Sequence, residues 1–264
     1  MKLQKVQGII ISESNYSETS KLLKIVTREY GLISVMAKGA KSIKSKLRAF
    51  TTKLTYADFQ IYYKEDKIST LISADIINPF INIKSDLLKV SYASFILELT
   101  SEVLRESNNL KVFDILVDSL IKIDEKYDPT IITNILELKY LDFLGIRPNL
   151  DSCAVCGSTS ILTVSTSKGG FVCKNCHTNE KILDPKAIKI LRMLYYVNIK
   201  KISKNLNKDG LRVVAVCQKN DIAEDTIFDV NSEKNMVLIG FIGFLDPPKE
   251  SAKVAIEKLN NARY

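Results

Sequence analysis

The sequence predicts a mixed α+β protein in three parts: a strand-rich start, a helical middle that carries four cysteines, and a short third segment of α/β character. Three observations predict it. Short apolar or alternating runs broken by polar turns fill the first 80 residues, apolar residues recur with a helical period after that, and two C-x-x-C pairs interrupt the helical stretch between Cys153 and Cys176.

Residues 6–13, 21–28, 32–38, 54–63 and 68–75 are short apolar or alternating runs broken by polar turns. The turn Arg28-Glu29-Tyr30-Gly31 puts a glycine where a positive φ is often needed. Lys64-Glu65-Asp66 joins the last two runs. Five short strands in so little chain predict a small closed or nearly closed barrel over residues 1–80, of which the OB-fold is the commonest nucleic-acid binder.

From residue 81 the period changes. Leu87, Leu88, Val90, Phe95, Ile96, Leu99 and Val103 fall on one broad helical face, and Val112, Phe113, Leu116, Leu120 and Ile123 on another. A third helix has both ends marked: Asp128 caps it, Pro129 fits the first turn, and Gly145 closes it before Arg147-Pro148. Its stripe is Ile131, Ile132, Ile135, Leu136, Leu138, Leu141 and Leu144. Asp184 and Pro185 open a fourth helix with Ile188, Leu191, Leu194 and Tyr195 on one face, and Lys186, Lys189, Arg192, Lys200, Lys201 and Lys204 as its basic residues. Residues 81–207 thus read as a helical bundle docked on the barrel, with a cysteine module inserted at 151–178. Residues 211–217 and 236–244 are strand-like, and Asp246-Pro247-Pro248 starts a helix over 249–260.

The formal charge of +8 is unevenly spread. Residues 1–80 hold 13 basic and 7 acidic side chains, and 151–207 hold 9 and 3. The intervening 81–150 hold 8 and 11, and 208–264 hold 8 and 9, so two basic blocks flank a mildly acidic one. That balance favours a polyanionic partner. The first apolar stretch is only residues 8–11, too short for a secretory signal. The longest apolar run, 237–245, is far below the ~20 residues that span a bilayer, which predicts a cytoplasmic protein without membrane partners.

Cys153 and Cys156 form one pair, Cys173 and Cys176 the other. Two residues between cysteines let both thiolates of a knuckle reach one tetrahedral ion, and the intervening loop lets the second knuckle complete the shell. Gly157 suits the tight turn after the first pair. Four thiolates leave no open position, so the expected cofactor is a structural Zn2+, with an iron–sulfur cluster as the alternative. In a reducing compartment this spacing speaks for metal over disulfides. His177, beside Cys176, reads as a surface residue, and the lone Cys217 as a small buried apolar one. The plainer role for the metal is to staple a loop; contact between the knuckles and nucleic acid is the other.

Lys38, Lys41, Lys44, Lys46 and Arg48 lie in a single acid-free stretch with Gly39, Ser42 and Ser45 between them. Cations release counterions on meeting phosphates, and small residues let backbone N–H groups approach, so these five are the candidate DNA contacts. A solvated loop without a ligand is the competing reading. Tyr16, Phe50, Tyr56, Phe59, Tyr62 and Tyr63 include possible base-stacking rings, although strand spacing assigns most of them to the core.

These residues resemble the RecO family of recombination mediators. The resemblance is carried by Gly8 to Ile11 with Glu18 and Thr19, the run from Thr27 to Lys41, Ser45, the segment Phe143 to Pro148 and the cysteine pairs, and it covers residues 1–207. It implies an OB domain, a helical domain and an inserted zinc module. It further implies binding of single- and double-stranded DNA, annealing of complementary strands, and assistance to RecA loading, with RecR and the single-strand-binding protein as partners and no catalytic residues. The sequence agrees on the last point, having no Walker loop and no nucleophile–histidine arrangement.

From Lys208 the likeness changes. Residues 209–216 and 236–252 resemble a P-type cation-transporting ATPase, where such a stretch runs from the nucleotide domain into the phosphorylation domain. The phosphorylation motif D-K-T-G-T is absent, so Asp246 inherits no role as a phosphorylated aspartate. The expectation is an orphan fragment joined near Asn207-Lys208 to a truncated body. Three functions therefore compete: a DNA-binding mediator, a protein-interaction scaffold with a structural zinc module, and a non-catalytic pump fragment.

Overall fold

The computed structural model describes residues 2–107 and 109–202, together with the backbone of 211–218 and 237–245. Five strands form the start of the chain: β1 Lys2–Asn15, β2 Lys21–Thr27, β3 Gly31–Ala37, β4 Tyr56–Tyr63 and β5 Ser69–Asn78. They close into a barrel in the order β1-β2-β3-β5-β4, the OB-fold arrangement. β1 is twice the length of β2. Its first half pairs with β4 (Lys2 opposite Tyr63) and its second half with β2 (Asn15 opposite Lys21), with a register shift between Ile10 and Ser12. A short parallel contact, Val35 opposite Ser69 and Met36 opposite Thr70, closes the circle. Gly31 adopts φ +64 in the β2–β3 turn, as expected there.

Alternate side chains fill the barrel. Val6, Ile10, Leu23, Ile25, Val35, Phe59, Ile61 and Leu71 form its core. Tyr30 and Tyr63 stack on each other over that core, with ring centres 4.0 Å apart. Of the candidate stacking rings, Tyr56 and Phe59 are buried, and Tyr16 is exposed.

The helices are α1 Ile81–Lys84, α2 Leu87–Glu106, α3 Lys111–Asp124 and α4 Pro129–Phe143. Asp86 caps α2 by accepting from the Leu88 and Lys89 amides, and Asp128 caps α4 by accepting from those of Thr130 and Ile131. The α3 face is buried as its spacing predicts. The α2 face is corrected in part: Leu87, Leu88 and Phe95 are exposed, while Ala93, Ile96, Leu97, Thr100, Ser101, Val103 and Leu104 are buried. The spacing does mark a helix, but the buried stripe includes Thr100 and Ser101, which hydropathy alone passes over. Thr100 meets the buried Tyr140 hydroxyl at 2.8 Å. In α4, Leu144 lies beyond the helix and is exposed.

Helices and barrel share one compact unit of residues 1–146 with 198–201. Tyr56 stacks on Phe80 and meets Phe113 edge-on. Arg28 lies over the Phe113 ring and pairs with Asp114 at 2.9 Å. The second unit takes in 147–197 and Ile202 onward. It holds β6 Thr163–Ser165, β7 Gly170–Val172 and α5 Pro185–Tyr196. Its last described strands, β8 Leu211–Gln218 and β9 Val237–Leu245, pair antiparallel. The Cys217 side chain and the helix expected over 249–260 lie outside the described residues. Among the described residues no helix is long and apolar enough to cross a membrane.

Candidate metal centre and nucleic-acid interface

Cys153, Val172 and Cys173 form a small buried cluster in the cysteine module, with Ile161 and Cys176 against it, and Leu150 and Phe171 are buried in the same module. Backbone hydrogen bonds give it shape. Phe171 donates to Asn149, Ala154 to Phe171, and Leu162 to Val172, so residues 149–154 and 162 lie along β7. The Gly170 backbone meets Asn149 so closely that a Cβ would fall 2.3 Å from the Asn149 carbonyl oxygen, which makes glycine obligatory there.

The two knuckles repeat one geometry. The residue after the second cysteine donates its amide to the carbonyl of the first: Gly157 to Cys153 and His177 to Cys173, each at 2.9 Å. All four sulfurs come within 4.8 Å of one another. Cys156 and Cys173 are 3.5 Å apart, too far for a disulfide bond and near the ~3.8 Å edge of a tetrahedron with ~2.3 Å metal–sulfur bonds. Burial works against a Cys153 thiolate, but backbone amides of Cys156, Cys173 and Val155 outweigh it and bring the thiol down to about 6. Cys176 is pushed up to about 12, first by its hydrogen bond with Cys156 and then by burial. Four thiolates so close repel one another, and a bound cation is what lets all four ionise. The donor set therefore fits a closed tetrahedral metal.

His177 is not among the sulfur-bound set. Contrary to the surface reading, it is half-buried, and its ring donates to the Glu180 carbonyl at 2.6 Å. The Glu180 carboxylate gathers the second knuckle's neighbourhood, accepting from the Thr178 amide and the Lys168 ammonium. Hydrogen bonds, Ser165 foremost, hold that carboxyl well below the usual range. Lys168 also donates to the Cys176 carbonyl at 2.8 Å. Arg192 and Tyr196 of α5 both grip Asp151. No motif announces this support: the Asp151 contacts join residues far apart in sequence, and the Glu180 contacts to Thr178 and His177, although local, follow no recognised spacing.

The basic residues lie in the β3–β4 connection, residues 38–55. It is tightly built. Ala40 is buried, the Lys41 amide donates to Thr19, and Ser42, Ser45 and Arg48 each donate three residues back. A 3-10 turn, Lys46–Phe50, follows, capped by Ser45, with Leu47 and Phe50 packed on the barrel core. Thr51 closes that turn through the Leu47 carbonyl. Glu13 then pairs with Lys21 and accepts from the Lys53 amide, while Leu54 donates to Ile10. This closure holds Leu54 at φ +63, a left-handed geometry that strains a leucine.

Lys38, Lys44, Lys46 and Arg48 are exposed, and among the described residues none has an acidic partner. Lys41 differs: it is half-buried, and its ammonium donates to the Ser17 carbonyl at 3.2 Å. Its place is that of an anchor for the loop.

A closed barrel with a fixed basic loop, helices packed on the barrel, and a module of four clustered cysteines define an OB-type α+β protein with a four-sulfur site that could hold a metal ion. The family model described as Recombination protein O N terminal matches residues 1–80, and the one described as Recombination protein O C terminal matches residues 84–225. The chain is 36% identical to the DNA repair protein RecO of Halalkalibacterium halodurans over 207 residues, 75% of this chain and 80% of that protein. It is 33% identical to that of Listeria welshimeri over 239 residues, covering 87% and 90%, and 34% identical to that of Bacillus mycoides over 218, covering 79% and 86%. The chain belongs to the RecO family. The C-terminal model reaches residue 225, past the expected junction at 207–208, and these comparisons lend no support to the pump-like reading of the tail.

Proposed function

We infer that this protein is a non-catalytic DNA repair and recombination mediator. It binds single- and double-stranded DNA through the β3–β4 loop and anneals complementary strands. In the cytoplasm, at the nucleoid, it assists RecA loading with RecR on strands coated by the single-strand-binding protein. Family membership supports the repair role. The observation that carries DNA binding is the set of cations Lys38, Lys44, Lys46 and Arg48, held on an ordered loop without acidic partners. Such cations gain more from phosphates than from any neighbour of their own. Annealing follows the same electrostatics: two strands neutralised on one surface repel each other less. Cys153, Cys156, Cys173 and Cys176 would hold a structural Zn2+ that keeps their module folded.

The test is oligonucleotide binding and strand annealing across a salt series. Replacing Lys38, Lys44, Lys46 and Arg48 with Gln, with the Lys41 anchor left in place, is expected to weaken binding by about 10- to 100-fold at low salt. The slope of log affinity against log salt should flatten by roughly 0.7 for each single-strand phosphate that is no longer neutralised. Unchanged affinity and slope in a folded variant would reject the site.

A further inference from the structure

The β3–β4 loop turns its large apolar side chains inward with one exception. Leu47 and Phe50 pack on the barrel core and Leu54 is buried, yet Ile43 is 86% exposed, more than any other large apolar side chain among the described residues. Single exposed apolar residues are common on protein surfaces. Two features set this one apart. It sits amid the cations that have no acidic partner, with Lys44 next to it and Lys46 shortly after. It is also held by a tight turn: Ser42 donates to Gly39 at 3.1 Å and Ser45 to Ser42 at 3.0 Å, with the buried Ala40 just before. A β-branched side chain on a fixed turn gives up little freedom when it meets a ligand.

We propose that Ile43 is a base-contacting wedge, covering the face of an unstacked base while Lys44 and its neighbours hold the phosphates. This rests on the reading of the loop as a DNA site and deepens it. In a duplex, stacking already covers the base faces, and presenting one costs the opening of a step. In a single strand the faces are free, and each offers apolar surface whatever its sequence. The phosphate contacts serve both forms of DNA, and Ile43 adds affinity chiefly for the unpaired one. The loop thereby distinguishes strand from duplex without reading sequence.

The experiment uses the full chain, fluorescein-labelled oligothymidylate, and a labelled duplex, each titrated across a salt series. The proteins are the wild type, Ile43→Ala, Ile43→Phe, and the quadruple Gln variant at Lys38, Lys44, Lys46 and Arg48. Circular dichroism melts check folding, which a change at so exposed a position leaves intact. Ile43→Ala is expected to weaken single-strand binding about fivefold at every salt concentration, with the salt slope unchanged and duplex binding within about twofold. Ile43→Phe restores or exceeds wild-type single-strand affinity, since an aromatic ring stacks on a base better. Full single-strand affinity in Ile43→Ala, or equal weakening on strand and duplex, overturns the wedge. If the quadruple variant is weakened while Ile43→Ala is not, the wedge alone fails. If neither is weakened, the loop is not the DNA site and both readings fall.

Discussion

The barrel-and-helix unit and the cysteine module reach order by opposite routes. The first buries Ile9, Ile10, Leu23, Ile25, Phe59, Ile61, Phe80, Ile96, Phe113 and Tyr140 almost completely, enough apolar surface to define a core without help. The module buries fewer: Leu150, Phe171 and Val172, with Cys153 and Cys173. What the difference teaches is where each region can be broken. A core built of many side chains tolerates the loss of one, whereas a module organised around a single ion would be lost with it.

The sharpest way to break the comparison is to remove metal. Structural zinc in small modules contributes roughly 10 kcal/mol or more. A chelator, or Cys173→Ser, is expected to release the module while the barrel stays folded. Hydrogen exchange reads both at once. The amides of Cys153, Gly157 and His177, now bonded within the knuckles, should lose protection, and those of Leu23 and Ile25 should keep it. Protected knuckle amides in metal-free protein would mean that hydrogen bonds alone hold the module.

Gly170→Ala asks whether backbone fit matters as well as the ion. The added Cβ meets the Asn149 backbone at 2.3 to 2.9 Å, at a φ of +151 that suits only glycine. Something must move, and the expected cost is on the order of 4 kcal/mol. It should appear as weaker zinc affinity in a competition titration, with the barrel melt unchanged. Wild-type affinity would show that the Asn149 segment is dispensable.

In the larger unit the weak point is polar. Glu137 is buried on α4, where the Thr133 hydroxyl and the Asn134 amide nitrogen have no hydrogen-bond partner among the described residues. Burial lifts the Glu137 carboxyl to about 7. Below its usual value of 4.5 it is neutral, folded or unfolded, and costs nothing in charge. As pH rises through the window from 4.5 to 7, the unfolded chain gives up the proton and the folded one keeps it, so stability falls. Above that window the full penalty, about 3 kcal/mol, is present. Glu137→Gln is therefore expected to stabilise the unit at pH 8 and to change little at pH 4, as read from urea midpoints. An equal change at both would assign the effect to something other than ionisation.

How much of this was legible in the sequence depends on the kind of signal. The gathering of the four cysteines was, because a two-residue spacing lets each pair turn both sulfurs to one point. So were the five strands, whose alternation follows from one face being buried, and the caps at Asp128 and Asp184, which act on amides two or three residues away. The α2 face was partly misread because the burial of Thr100 depends on Tyr140, forty residues on. The Asp151 network was invisible for the same reason, since Arg192 and Tyr196 are as distant, whereas the Glu180 contacts are local but follow no recognised motif. Within the basic loop, composition picked out five cations but gave no means of separating the Lys41 anchor from its exposed neighbours, or of seeing that Ile43 faces solvent. Those distinctions depend on what lies above each residue in the folded chain.

The smallest effect sharpens the comparison from the stable side. Asp128 accepts from the Thr130 amide at 2.8 Å and from that of Ile131 at 3.2 Å, while Pro129 presets the first turn. Removing one cap from a helix costs about 1 kcal/mol. α4 is buried along most of its length, so packing holds it in place even when two amides lose their partner. Asp128→Ala should therefore lower the melting point of the barrel-and-helix unit by a few degrees and leave its unfolding cooperative. Asp184→Ala, the matching change at α5, removes an acceptor for the Lys186 amide in the unit that holds the four cysteines, where α5 buries only Ala187, Ile188, Leu194 and Tyr195. If the two regions differ as argued, zinc should mask the second change and a chelator should expose it, whereas the first should be blind to metal. A zinc-dependent effect of Asp128→Ala would show that the two regions do not fold independently.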